Sequence, residues 1–389
     1  MKKDTLENQC AIMLACQGLR SSVNERKSML QRSIQVLLVT LAMSMGAMQT
    51  PAAVPVERLR DVPDGWFASA EGKSTIANII SWQNANGGWW KSYDTLTPRP
   101  ADAKSESTNP AAPKDSWSAT STFDNQATYT ELTLLARAVT LTNDDAAKDA
   151  FQKGLQFVFD AQYDHGGFPQ RFPLEKGYGR YITFNDGAMA GTLKVLRDAG
   201  RGAPPYAFLD EATRAKCLAA FNKGIECILL CQIKVDGKLT AWCQQHDEVT
   251  FAPQLARAYE LPSICSTESS EIAQLLMSIE NPGPEIRAAV KAAAEWFERS
   301  KIHGKRYDRL TDADGRVSRL LSDDPNAPPL WARFYDIDTN RPFFCDRDGV
   351  KRWDLNEVGE ERRRGYAWYS TAPANFLKHY PQWLERTGG

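Results

Sequence analysis

Three short stretches of this chain share a pattern but differ in what they can do chemically. Thr122-Phe123-Asp124-Asn125 and Thr183-Phe184-Asn185-Asp186 each carry a carboxylate, whereas Thr250-Phe251-Ala252-Pro253 carries none. Each precedes a run with helical periodicity, residues 129–139, 188–196 and 255–259, so each reads as a helix entry. A carboxylate at such a place can cap the free amides of the first turn and complement the helix dipole. A pair of carboxylates brought together can instead work as acid and base. Capping accounts for either aspartate alone. It does not explain why two of three equivalent entries carry one.

The elements that must position these residues also repeat. Gln83-Asn84-Ala85-Asn86-Gly87-Gly88-Trp89, Gln162-Tyr163-Asp164-His165-Gly166-Gly167-Phe168 and Gln232-Ile233-Lys234-Val235-Asp236-Gly237 each follow an apolar helical stretch. Their glycines stand where a helix must end and the chain must turn, so they read as helix exits. Helix, glycine-aromatic loop and second helix thus recur at intervals of roughly 60 to 80 residues, the mark of stacked helical hairpins. Closing such hairpins into a ring puts the equivalent loops at one end, where chemistry is expected. The pattern predicts an all-α fold with few strands. Trp89, Trp90, Phe168, Trp242, Trp331 and Tyr335 fall in or near these loops, and one or two are expected to touch a sugar.

Composition narrows the function classes. With 389 residues, 42% hydrophobic and 24% charged, the chain can bury a large core. The 47 basic and 48 acidic side chains nearly cancel and form no basic run, which argues against nucleic acid as a partner. The four histidines form no HExxH pattern and no CxxC pair is present, so zinc chemistry is disfavoured. Residues 34–48 are an apolar stretch preceded by Arg26, Lys27 and Arg32 and followed by Pro51 and Pro55. That is the pattern of a secretory signal peptide, too short for a stable membrane anchor. Residues 1–53 are therefore expected to be a leader, with translation starting at Met1 or Met29, and residues 54–389 a single secreted catalytic domain. Cys217, Cys227, Cys231, Cys243, Cys265 and Cys345 would remain in an oxidising compartment, where one or more disulfides are expected.

Four segments carry a resemblance: residues 121–128 (Ser-Thr-Phe-Asp-Asn-Gln-Ala-Thr), 182–189 (Ile-Thr-Phe-Asn-Asp-Gly-Ala-Met), 256–262 (Ala-Arg-Ala-Tyr-Glu-Leu-Pro), and Trp331-Ala332-Arg333-Phe334-Tyr335 through Arg347-Asp348-Gly349. Together and in this order they resemble polysaccharide lyase family 10, pectate lyases with an (α/α)3 toroid. The likeness runs from about Ile76 to Trp383. It implies a polygalacturonate substrate and Ca2+ as cofactor. It places Asp124 and Asp186 beside the metal with Asn125 close by, makes Arg347 the catalytic base, and puts Arg257 and Arg333 on the substrate.

The chemistry so implied is coherent. Eliminating the bond at C4 of a galacturonate requires loss of the C5 proton beside a carboxylate, so cations aimed at that carboxylate lower the barrier most. Calcium takes six to eight hard oxygen ligands, some of them from substrate. An arginine is an awkward base, since a free guanidinium keeps its proton up to about pH 12. Nearby cations such as Ca2+, Arg333 and Lys351 would lower that value, whereas a plain ion pair of Arg347 with Asp346 or Asp348 would not. Two other classes compete: an inverting glycoside hydrolase of helical-barrel type using Asp124 and Asp186, and a non-catalytic extracellular carbohydrate-binding protein.

Overall fold

The computed structural model describes residues 53–101, 120–312, 315 and 317–388; the leader and the disputed start codon lie outside the described residues. Antiparallel helix pairs form the frame. Tyr129–Thr142 turns at Asn143, in the left-handed region at φ 54°, into Asp145–Ala161, whose first turn is capped by the Asp144 side chain accepting from Ala147 N at 3.0 Å. Ala188–Arg201 ends at Gly202, φ 63°, and is followed by Glu211–Cys231, capped by Asp210. Ser266–Met277 leads to Pro284–Arg299, which starts with a proline in its first turn. Ala70–Ser81 packs on the first pair and Ala372–Thr387 on the last.

The exits are where the sequence places them, and the structure shows what they do. Gln83, Gln162 and Gln232 each donate twice, once to their own loop and once to the next repeat. Their Nε2 atoms reach Gly87 O and Ala150 O at 2.7 and 2.8 Å, Gly166 O and Ala220 O at 3.0 and 2.8 Å, and Thr240 O and Ala289 O at 3.0 and 3.0 Å. One side chain therefore ends a helix and fixes its neighbour. Gly166 takes φ +94° and lies so close to the next helix that a Cβ would fall 2.0 Å from Lys223 O, so no other residue fits. The loop aromatics then enter the core: the indole N–H groups of Trp89, Trp242 and Trp331 donate to Ile79 O, Ile228 O and Phe297 O, each at 2.8 Å.

Three expectations are corrected here. The all-α (α/α)3 toroid with few strands is not what the structure shows. Seven two-stranded antiparallel sheets lie among the described helices, so the class is mixed α and β. Six have strands two residues long, and three of these stitch a helix entry to a later loop: Ser121–Thr122 with Arg171–Phe172, Ile182–Thr183 with Gln245–His246, and Ile264–Cys265 with Phe334–Tyr335. The longest pairs Lys305–Thr311 with Val317–Asp323. Second, residues 255–259 are irregular, and the third helix begins at Ser266. Third, all six cysteines are buried free thiols.

Moving the third entry changes the repeat. Thr122 N, Thr183 N and Cys265 N donate to the carbonyls of Trp89, Phe168 and Trp242, while Phe123 N, Phe184 N and Ser266 N donate to those of Gln170, Gln244 and Arg333. Cys265-Ser266-Thr267-Glu268 is thus the true counterpart of Thr122-Phe123-Asp124-Asn125. The third entry does carry a carboxylate, Glu268.

Candidate active site

Two short 3-10 turns, Asp124–Gln126 and Asn185–Gly187, face one cleft of about 530 Å³. Their backbones match. Phe123 and Phe184 sit at φ −100° and −97°, and the residues two positions on, Asn125 and Asp186, are both left-handed at φ 49° and 51°. Asn and Asp tolerate that region better than other non-glycine residues. Neither Asp124 nor Asp186 caps the helix that follows it, so the capping reading fails for both.

Asp124 is 5% exposed. Its backbone N–H donates to Thr122 Oγ1 at 3.1 Å, Lys91 Nζ donates to its Oδ2, and its Oδ1 is buried with no partner. Burial pushes its carboxyl up, but Lys91, with smaller help from the neighbouring Asp186 and Gln170 side chains, outweighs that and holds it below the ordinary value. Asp186 goes the other way. Burial, then the negative charge of Asp124, raise it to about 6 against a partial counterweight from Arg333. Asn185 Nδ2 donates to Asp186 Oδ2 at 2.7 Å.

Beneath this pair, the Arg333 side chain is largely buried, 13% exposed. Its Nη2 donates to Asn185 Oδ1 at 2.8 Å and to Glu268 Oε1 at 2.7 Å, and its guanidinium lies 4.9 Å from the Tyr366 ring centre. Burial would lower its pKa, but Glu268, Tyr366, Glu260 and Asp186 raise it well above normal, so it stays charged. Arg257 lines the cleft wall. Its Nε donates to Glu260 Oε2 at 2.6 Å and its Nη2 to Glu260 Oε1, and Tyr366 Oη donates to the latter atom at 2.7 Å.

Asp124, Asn125, Asp186 and Arg257 are thus brought together in the cleft, and Arg333 supports it from below through Asn185. Arg347 is not in the lining. Its side chain is 63% exposed on the rim, 5.7 Å from the Tyr259 ring that also meets Arg257 and Arg362, and its Nη2 lies 3.1 Å from Glu361 Oε1. Lys351, expected to act on Arg347, pairs with Asp336 at 2.7 Å instead.

Reading the sequence missed Lys91, Gln170, Arg171, Gln244, Glu260 and Glu268, although a signal was present. Lys91, Gln170, Gln244 and Arg333 each stand two residues after a loop aromatic, Trp89, Phe168, Trp242 and Trp331. In an extended segment a residue two places on faces the same way, so one register carries a polar group toward the site in every repeat. Trp90 and Tyr178 line the cleft, and the Arg171 guanidinium lies 5.4 and 6.0 Å from their ring centres. Trp89, Phe168, Trp242, Trp331 and Tyr335 are core.

The donor set fits a calcium ion that shares its shell with substrate. Asp124 Oδ1 lacks a partner, and the ionisation of Asp186 is opposed by Asp124; a cation between them relieves both. Among the described residues no group of three or more His, Cys, Asp or Glu could hold a metal unaided, so further oxygens must come from substrate or water.

Comparison with known proteins agrees with this architecture. No curated protein matches the sequence. A family 10 polysaccharide lyase from Cellvibrio cellulosa is similar at 30% identity and a TM-score of 0.69, over 88% of this chain and 99% of that one. An aspartate-to-alanine mutant of a family 10 polysaccharide lyase from the same organism, in complex with trigalacturonic acid, is similar at 31% identity and a TM-score of 0.69, over 85% of this chain and 99% of that one. Residues 83–377 match the family model for pectic acid lyase, and the chain belongs to that family.

Proposed function

We propose that this pectate lyase cuts α-1,4-linked polygalacturonate by calcium-assisted β-elimination with an arginine as base, releasing 4,5-unsaturated oligogalacturonides. The observation that carries the reading is the cleft itself: two neighbouring carboxylates, one with an unpartnered buried oxygen, share a wall with Arg257, Lys91, Arg171 and several side-chain amides. Calcium held by Asp124 and Asp186 would supply positive charge to the carboxylate of the sugar being cleaved. Lys91 keeps Asp124 ionised, and the buried Arg333 orients Asp186 through Asn185.

The base takes the C5 proton, the C4–C5 double bond forms, and the C4–O bond breaks. Position favours Arg257 over Arg347 for that step, because Arg257 lines the cleft whereas Arg347 is held on the rim by Glu361. Arg347 then serves to bind a substrate carboxylate at the entrance. Burial lowers the pKa of Arg257, but Glu260 more than reverses this, so its proton is held tightly and the rate should climb with pH into the alkaline range. Asn125, on the same turn as Asp124, contributes its amide to substrate binding. Export by the leader would suit a substrate too large to enter a cell, and no helix among the described residues is long and apolar enough to cross a membrane.

One observation favours an inverting hydrolase: Asp186 raised and Asp124 lowered are what an acid and base pair needs. The two carboxylates lie close enough that each shifts the other's pKa, however, whereas an inverting pair stands about 6.5–9.5 Å apart to admit water. Polygalacturonate digestion followed by ultraviolet absorbance decides. A rising absorbance that EDTA abolishes and Ca2+ restores is expected, and chain shortening without absorbance would replace the lyase reading with the hydrolase.

A further inference from the structure

We propose that a second groove, on the far side of the helix Glu360–Gly365 from the catalytic cleft, binds polygalacturonate without cleaving it and holds the stretch of polymer that emerges from the cleft. The groove encloses about 790 Å³ and is lined by five cations, Lys305, Arg319, Arg341, Arg363 and Arg364, against three carboxylates. Of these five, Lys305 pairs with the lining carboxylate of Asp323, but the charge of the four arginines is available, which that of the catalytic cleft is not. In the cleft, Lys91, Arg171 and Arg257 are each committed to an acidic partner. In the groove, Arg319, Arg341 and Arg363 form no ion pair among the described residues, and Arg364 meets Glu360 only at 3.4 Å with both side chains more than half exposed.

An aromatic surface stands among these cations. Trp353 is 39% exposed, and the Arg341 guanidinium lies over it, 4.6 Å from the ring centre. Unpaired guanidiniums beside an exposed indole suit a chain of acidic sugars: the forks take carboxylates in a bidentate manner, and the ring takes the apolar face of a pyranose. A neutral glycan would leave the guanidiniums unused, and an apolar peptide would bury them unpaired.

Two segments join the groove to the active site. In the helix Glu360–Gly365, Arg362 stacks on Tyr259 at the cleft rim, while Arg363 and Arg364 line the groove. In the hairpin pairing Phe344–Cys345 with Lys351–Arg352, Arg347 occupies the connecting loop at the rim, while Phe344 and the following Trp353 line the groove. A polymer leaving the cleft past Arg347 and Arg362 therefore meets the groove next.

The proposal rests on the pectate reading above, and the experiment separates the two. Steady-state kinetics of the double variant Arg341→Ala with Arg363→Ala are measured on polygalacturonate and on trigalacturonate, with Trp353→Ala as an independent second variant. Losing the charge-assisted contacts should raise KM for the polymer at least roughly threefold and leave kcat, and kcat/KM for the trimer, unchanged. A smaller rise in polymer KM for both variants, or equal losses on polymer and trimer, overturns the second site. Failure of the catalytic reading looks different, since the wild-type protein then forms no unsaturated product from either substrate.

Discussion

The two turns that build the active site share one backbone and differ by a single exchange of order. The first reads Phe123-Asp124-Asn125 and the second Phe184-Asn185-Asp186, so Asp124 stands where Asn185 does and Asp186 where Asn125 does. The swap decides protonation. At the first position the carboxylate meets Lys91 and is held ionised; at the left-handed position it meets Asp124 and the amide of Asn185, and retains a proton to about pH 6. The third entry places Glu268 at the left-handed turn's equivalent and Arg333 at that of Gln170 and Gln244, and the two neutralise each other at 2.7 Å. One scaffold thus yields a fixed anion, a titrating anion and a buried ion pair. The lesson is that the repeat supplies positions, while side-chain order supplies chemistry.

The comparison breaks most visibly at Asp124. Asp124→Ala should lower turnover by about two orders of magnitude or more, since it removes a ligand at the point of charge development. Circular dichroism should remain that of wild type, because no helix cap is lost; an unfolded variant would return Asp124 to a structural role.

Next in size is the choice of base. Lysine keeps the charge but moves the basic nitrogen, so Arg257→Lys should cost about two orders of magnitude in kcat, whereas Arg347→Lys should mainly raise KM. The reverse ranking in steady-state kinetics would give the base back to Arg347.

Asp186 should set the acid side of the profile. Because its folded pKa is raised, the carboxyl binds a proton more tightly in the folded chain. The metal-free protein should therefore lose stability as pH rises from the ordinary aspartate range to about 6, and no further from this group. Activity should fall as pH drops through about 6, and Asp186→Asn should flatten both slopes while weakening the response to Ca2+. Chemical denaturation across pH, with and without Ca2+, checks the sign.

Behind the first turn, Glu131 is fully buried, with Tyr93 Oη donating to its Oε1 at 3.0 Å and its Oε2 unpartnered. Burial raises its pKa to about 8, so the same sign applies and stability should fall as pH rises toward 8. Glu131→Gln should raise the alkaline Tm by roughly a few degrees and leave kcat alone. The smallest effect belongs to Asn125: alanine at its positive φ should cost about 1 kcal/mol, and glycine little.

Much of this was legible in the sequence, and the limits have physical causes. Gln83, Gln162 and Gln232 announce helix ends because glycines must follow them, and the Asp124 and Asp186 turns announce themselves through shared Thr-Phe pairs. Most of the strands are invisible because two residues have no period. Glu268 was hidden because the third entry replaces Phe with Ser266, while Thr250-Phe251 imitates the motif in an irregular segment. The resemblance assigned Arg347 the role of base; order along the chain carries no distance, and folding places Arg257 in the cleft wall and Arg347 outside it.

The central claim is that one carboxylate of the pair is always ionised and the other becomes so near pH 6. Calcium affinity measured by titration calorimetry against pH, on the Arg257→Lys variant with trigalacturonate bound, tests it most directly. The association constant should rise about tenfold per pH unit below about 6 and level off above it, with that slope absent when Asp186→Asn is added. An affinity independent of pH across this range, or the same slope without the Asp186 carboxylate, would contradict the account.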